Sequence, residues 1–103
     1  MKPKNRKPKS VAKRFEFTDA GAREVCIAGS FNDWHPAAFP MVDLGGGHWV
    51  KELVLPPGAH EYLFVVDGQW RPDPGARTTT PNPFGSVNCV VTVGGQSALE
   101  NTR

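Results

Sequence analysis

Two tryptophans of this chain stand where tryptophan is seldom found. Trp34 closes the turn Gly29-Ser30-Phe31-Asn32-Asp33-Trp34, and Trp70 follows Asp67-Gly68-Gln69 and precedes Arg71-Pro72-Asp73-Pro74. Turns of this composition lie on surfaces, so each ring is either folded part-way back as a loop anchor or left out to touch a ligand. In the second case the chemistry is noncovalent. A flat indole covers the apolar C–H face of a pyranose, while nearby amides and hydroxyls bond the hydroxyls around its rim. The outward reading is favoured for Trp34 and Trp70. Trp49 differs, because it opens an apolar run and belongs to the core or its rim, and Phe31 directly follows an apolar stretch that it can plug.

Residues for bond-breaking chemistry are present, but not in useful arrangements. Glycoside hydrolysis needs two carboxylates flanking one bond, and Asp33, Asp43, Asp67 and Asp73 are the candidates. Asp67 and Asp73 sit in Asp-Gly and Asp-Pro turns, and Asp33 in its loop, where turn chemistry accounts for them. His35, His48 and His60 have no metal-ligand spacing, and no Ser or Cys stands in a nucleophile motif. The glycines of Leu44-Gly45-Gly46-Gly47-His48-Trp49 read as a hairpin turn, since a phosphate cradle needs a helix start after it. Cys26 and Cys89 lie singly in apolar stretches and read as small buried thiols. A non-catalytic protein with no catalytic residues, cofactor or metal is expected.

The elements that must hold these residues are strands. The 103 residues suffice for one domain, and 10 prolines with 11 glycines point to many turns. Apolar or alternating stretches run over 14–18, 24–29, 49–55, 60–66 and 87–93, and a short segment returns after Asp67-Gly68. Tyr62, Phe64 and Val66 share one face by the period of two. No window holds a 3.6-residue period. Six or seven short strands at this spacing predict an all-β, immunoglobulin-like β-sandwich.

Charge is uneven. Seven of the 12 basic residues fall in the first fourteen positions, with no acidic residue among them; the remainder carries five basic and ten acidic groups, a net of −5. Residues 1–12 therefore read as a disordered basic arm, residues 13–93 as the sandwich and residues 94–103 as a flexible C-terminal tail. The arm is read first as a solvating tail, and second as a weak polyanion contact. No apolar run reaches the roughly 18 residues of a membrane span, and the charged N-terminus lacks the apolar segment of a secretory signal. A cytoplasmic protein without membrane contact is expected.

"GSFNDW", "HEYLFVVDGQW" with "DP" two residues on, and "FGSVNCVVTV" occur in the order found in family-48 carbohydrate-binding modules. Among these the chain is most similar to the glycogen-binding domain of the AMP-activated protein kinase beta subunit. The resemblance covers about residues 13–93 and implies an early-set immunoglobulin-like sandwich that binds alpha-1,4-linked glucan. It places the two stacking tryptophans at Trp34 and Trp70. The wedging apolar side chain falls at Phe84, the hydroxyl residue at Ser86 and the hydrogen-bonding asparagine at Asn88. The position where the family often has a lysine is Leu63, which removes a charge-assisted hydrogen bond to sugar. Leu63 and Val65 also give that strand an apolar outward face, which would suit a protein partner. The implied partners are alpha-glucan polysaccharide or maltooligosaccharide, and a glycogen-metabolising enzyme that the module would serve. A full kinase beta subunit has a further C-terminal segment, so kinase-complex assembly is not expected of these 103 residues. The second reading is a protein-interaction module of the same fold with weak or lost glucan binding. The third is nucleic-acid association through the arm.

Overall fold

Alternating side chains, cut at short intervals by glycine, proline and Asx turns, shape residues 10–94, which are those the computed structural model describes. Eight strands form in chain order: β1 (Val11–Thr18), β2 (Val25–Gly29), β3 (Val42–Asp43), β4 (His48–Leu55), β5 (Gly58–Val66), β6 (Gln69–Arg71), β7 (Thr78–Pro81) and β8 (Val87–Val93). No helix occurs among the described residues. All strand pairings are antiparallel. One sheet has the order β1-β4-β3, and the other has β2-β5-β8-β7 with β6 also on β5.

The two sheets face each other across an aromatic core, as the sequence predicts for a sandwich. Phe15, Phe17, Trp49, Leu53 and Leu55 come from the first sheet, and Val25, Ile27, Tyr62, Phe64, Val66, Cys89 and Val93 from the second. Rings lock the layers at two points. Phe15 meets Tyr62 edge-on at 5.0 Å, and Phe17 meets Phe64 at 4.9 Å between centroids. Trp49 is buried and donates its indole N–H to the Asp19 carbonyl at 3.4 Å.

The expected strands are all found. β1 starts at Val11, two residues ahead of the expected sandwich boundary, because Val11 and Ala12 pair with Leu55 and Val54. Apart from Ser10 and Gly94, the rest of the expected basic arm and C-terminal tail lies outside the described residues. β3 and β7 had not been anticipated. β3 is two residues long, and the Thr78-Thr79-Thr80-Pro81 of β7 is largely exposed, with no apolar alternation. Cys26 and Cys89 are buried free thiols, and burial pushes both thiols up from their ordinary pKa. They sit in separate apolar clusters, Cys89 in the main core and Cys26 against Ala28 and Val65.

The second sheet prepares a site on its outer face. In antiparallel pairing, directly opposed residues share a face. Ala28 opposes Leu63, Cys26 opposes Val65, and Val65 opposes Trp70 across β2, β5 and β6. The turn from β5 into β6 fixes this register. Asp67 (φ 50°) and Gly68 (φ 84°) are both left-handed, as a two-residue type I′ hairpin requires. The Asp67 carboxylate accepts from the backbone N–H groups of Arg23 at 2.9 Å and Glu24 at 2.8 Å, which ties that turn to the start of β2.

Candidate functional site

The turn after β2 presents Trp34 by means of its own hydrogen bonds. Asn32 Oδ1 accepts from Gly29 N–H at 3.0 Å, its Nδ2 donates to the Ile27 carbonyl at 3.2 Å, and Gly29 O accepts from Trp34 N–H at 2.9 Å. Asp33 (φ 56°) and Trp34 (φ 58°) are consecutive left-handed residues, each costing roughly 1–2 kcal/mol. Gly29 must be glycine. A Cβ there would stand 2.3 Å from the Glu61 carbonyl oxygen and 2.8 Å from the Phe31 ring. Phe31 turns back as expected, stacking on Phe39 with centroids 6.0 Å apart and packing against the core.

Trp34 is not the freely outward ring of the sequence reading. It is half-buried and lies over Cys26, Ala28 and Val65, because the left-handed turn folds it back across the outer face of the second sheet. Trp70 keeps 46% of its surface exposed. The two indoles meet with centroids 6.4 Å apart and planes tilted by 49°. Leu63 and Val65 are therefore buried, and the apolar outward strand face expected for a protein partner is not open.

Phe84 is carried on the hairpin between β7 and β8. Asn82-Pro83-Phe84-Gly85 has Asn at the first turn position, Pro at the second and Gly at the fourth, the preferences of a type I turn. Gly85, at φ 82°, completes the reversal. The ring at the tip is 90% exposed. This turn, with the β-branched Thr78-Thr79-Thr80 before it, is the sequence signal that marks β7.

These parts line one cleft of about 730 Å³. All six sequence-derived site residues meet there: Trp34, Leu63, Trp70, Phe84, Ser86 and Asn88. Pro72, Asn82 and Pro83 complete the lining, and sequence reasoning had missed them. None of the nine is charged. Rings and prolines form the walls, Leu63 lies in the sheet beneath them, and one hydroxyl and two carboxamides supply hydrogen bonds.

The Pro72 wall is fixed from behind by the core. Asp73 Oδ2 accepts from the Tyr62 hydroxyl at 2.6 Å, Oδ1 accepts from Gly75 N–H at 2.8 Å, and Asp73 N–H donates to Cys89 Sγ at 3.1 Å. Burial, then the Asp73 carboxylate, pushes the Tyr62 hydroxyl well above its ordinary pKa. Native Tyr62 thus keeps its proton at pH values where the unfolded chain loses it. The contribution of Tyr62 to stability is full below about pH 10 and falls as pH rises beyond it. The protein has one tyrosine, so ultraviolet absorbance should show phenolate only as alkali unfolds the chain. Phenolate appearing near pH 10 with the circular dichroism intact would refute this.

Among the described residues, no three His, Cys, Asp or Glu side chains are grouped to hold a metal ion. No helix among them is long and apolar enough to cross a membrane.

Comparison with known proteins gives one consistent result. The family described as the glycogen recognition site of AMP-activated protein kinase matches residues 11–99. The chain is 40% identical over 79 residues to 5'-AMP-activated protein kinase subunit beta-1 of Sus scrofa, covering 77% of this chain and 61% of that one. With the Bos taurus beta-1 subunit it shares 41% over 79 residues, 77% of this chain and 27% of the relative. The Mus musculus beta-2 subunit gives 40% over 73 residues, 71% and 26%. This chain thus spans between about a quarter and three-fifths of the length of these relatives.

Proposed function

The chain belongs to the family of the glycogen recognition site of AMP-activated protein kinase, and on that premise we propose that it is a non-catalytic binding module for alpha-1,4-linked glucan. The observation that carries this reading is the convergence of Trp34, Trp70 and Phe84 with Asn82, Ser86 and Asn88 on one uncharged cleft. The indoles stack on glucose rings, Phe84 enters the curve of the glucan, and the hydroxyl and amide groups bond sugar hydroxyls. A neutral polyol leaves no ionic group to compensate, whereas a phosphate chain would find no cation among the described residues that line this cleft. Hydrolysis would need two carboxylates at the bond, and the described residues of the cleft lining include none.

The relatives are by name kinase subunits. By the same reading, this module would bring glucan to whichever chain it is joined to or binds, a glycogen-metabolising enzyme included. The protein-interaction alternative loses its main support with the burial of Leu63 and Val65.

Affinity should be modest. Stacking adds about 0.5–1.5 kcal/mol per ring beyond area burial, and each net hydrogen bond about the same. Association entropy opposes both, which leaves Kd between about 10 µM and 1 mM. The cleft's tilted rings suit a curved chain, so calorimetry should detect maltoheptaose and not cellohexaose. Equal affinity for the two would overturn the alpha-glucan reading.

A further inference from the structure

We propose that Asn82 is the positioning residue of the cleft, a role that rests on the glucan reading above. Its side chain makes three hydrogen bonds, one toward each of three residues of the proposed sugar surface. Oδ1 accepts from Phe84 N–H at 2.9 Å and from Ser86 N–H at 3.1 Å, and Nδ2 donates to Asn88 Oδ1 at 3.1 Å. Its backbone N–H donates to the Ser86 carbonyl at 3.0 Å, closing the hairpin beneath the turn. Asn88 Nδ2 then donates to Glu61 Oε1 at 3.0 Å. The chain Asn82–Asn88–Glu61 therefore fixes which way the Asn88 amide points into the cleft, leaving it one N–H and one lone pair for a ligand.

Burial cannot do this for Phe84. A ring with 90% of its surface exposed has almost no neighbours to hold it, so its place is set through its backbone, and Asn82 holds that backbone. The carboxamide suits the task, because its oxygen takes two N–H donors while its nitrogen donates to Asn88. Aspartate keeps the acceptor and loses the donor. Alanine loses both. A site ordered before the ligand arrives spares the ligand the cost of ordering it.

The test uses the full chain with Asn82→Ala and Asn82→Asp, maltoheptaose calorimetry, and amide hydrogen exchange at Phe84 and Ser86. Asn82→Ala is expected to bind about five- to tenfold more weakly, the effect of losing one or more net hydrogen bonds. Exchange at the two amides should quicken while the rest of the sandwich keeps its protection. Asn82→Asp should keep both amides protected and recover the part of the affinity that depends on Phe84 and Ser86, while the part that depends on the Asn88 amide stays lost with the donor, a split that a merely destabilised fold would not show. Parent-like affinity in Asn82→Ala, or Asn82→Asp as weak as Asn82→Ala, would overturn the proposal. Failure of the parent chain to bind maltoheptaose would instead overturn the glucan reading. The exchange data then decide the role of Asn82 alone, and unchanged protection in Asn82→Ala counts against it.

Discussion

Trp70→Ala should weaken maltoheptaose binding by about tenfold or more, the range of a binding-site tryptophan, while the thermal midpoint moves by no more than about 4 °C. Both halves follow from the position of the ring. It is 46% exposed on a three-residue strand at the mouth of the cleft, so its removal uncovers little core. Trp34→Ala should divide differently. Its ring also roofs Cys26, Ala28 and Val65, so binding is lost together with about 1–3 kcal/mol of stability. Native-gel retardation by glycogen and a thermal melt on each variant separate the two cases. Trp70→Ala that binds like the parent would remove the stacking platform from the proposal.

Trp49→Ala should show the reverse, costing about 3–5 kcal/mol, as removal of a buried tryptophan does. That is a large share of a stability of about 5–15 kcal/mol. The indole is 7% exposed on the inner face of β4, and its hydrogen bond to the Asp19 carbonyl ties the turn after β1 to the core. Urea unfolding followed by circular dichroism measures the loss, and affinity measured well below the midpoint should stay near the parent's, since Trp49 does not line the cleft. A midpoint unchanged from the parent's would mean that this ring does not anchor the sandwich.

Most strands were legible because period-two alternation is a local property, as in Tyr62, Phe64 and Val66. The turn residues Asp67-Gly68 and the triple glycine before Trp49 marked hairpins for equally local reasons. What escaped were β3, two residues defined by their partner strand, and β7, whose β-branched threonines and following turn are a local signal without apolar alternation. The outcome at the site divides in the same way. Trp34, Trp70, Phe84, Ser86, Asn88 and Leu63 were marked by motif resemblance and spacing, and they do line one cleft. The depth of Trp34 was not legible, because a left-handed backbone at a non-glycine residue has no signature in composition. Asn82 escaped because its role is to bond neighbours, and an asparagine in a turn already has a local explanation.

The order of pairing in the second sheet carries a consequence for the speed of assembly. β5, β6, β7 and β8 follow one another within residues 58–93, and the tight turns between β5 and β6 and between β7 and β8 bring five of the six expected sugar contacts near in sequence: Leu63, Trp70, Phe84, Ser86 and Asn88. β1 must instead find β4 across the gap from Val11 to Leu55, and β2 must reach β5 before Trp34 can settle. Closing long loops is entropically slow, so sandwiches of this kind fold in about milliseconds to seconds. The two hairpins should gain protection first in pulse-labelled refolding, and the capacity to bind maltoheptaose should appear only in the last phase, when Trp34 reaches the outer face. Sugar binding would then serve as a clock for the final long-range step, and its arrival ahead of β2 protection would show that the cleft assembles without its roof.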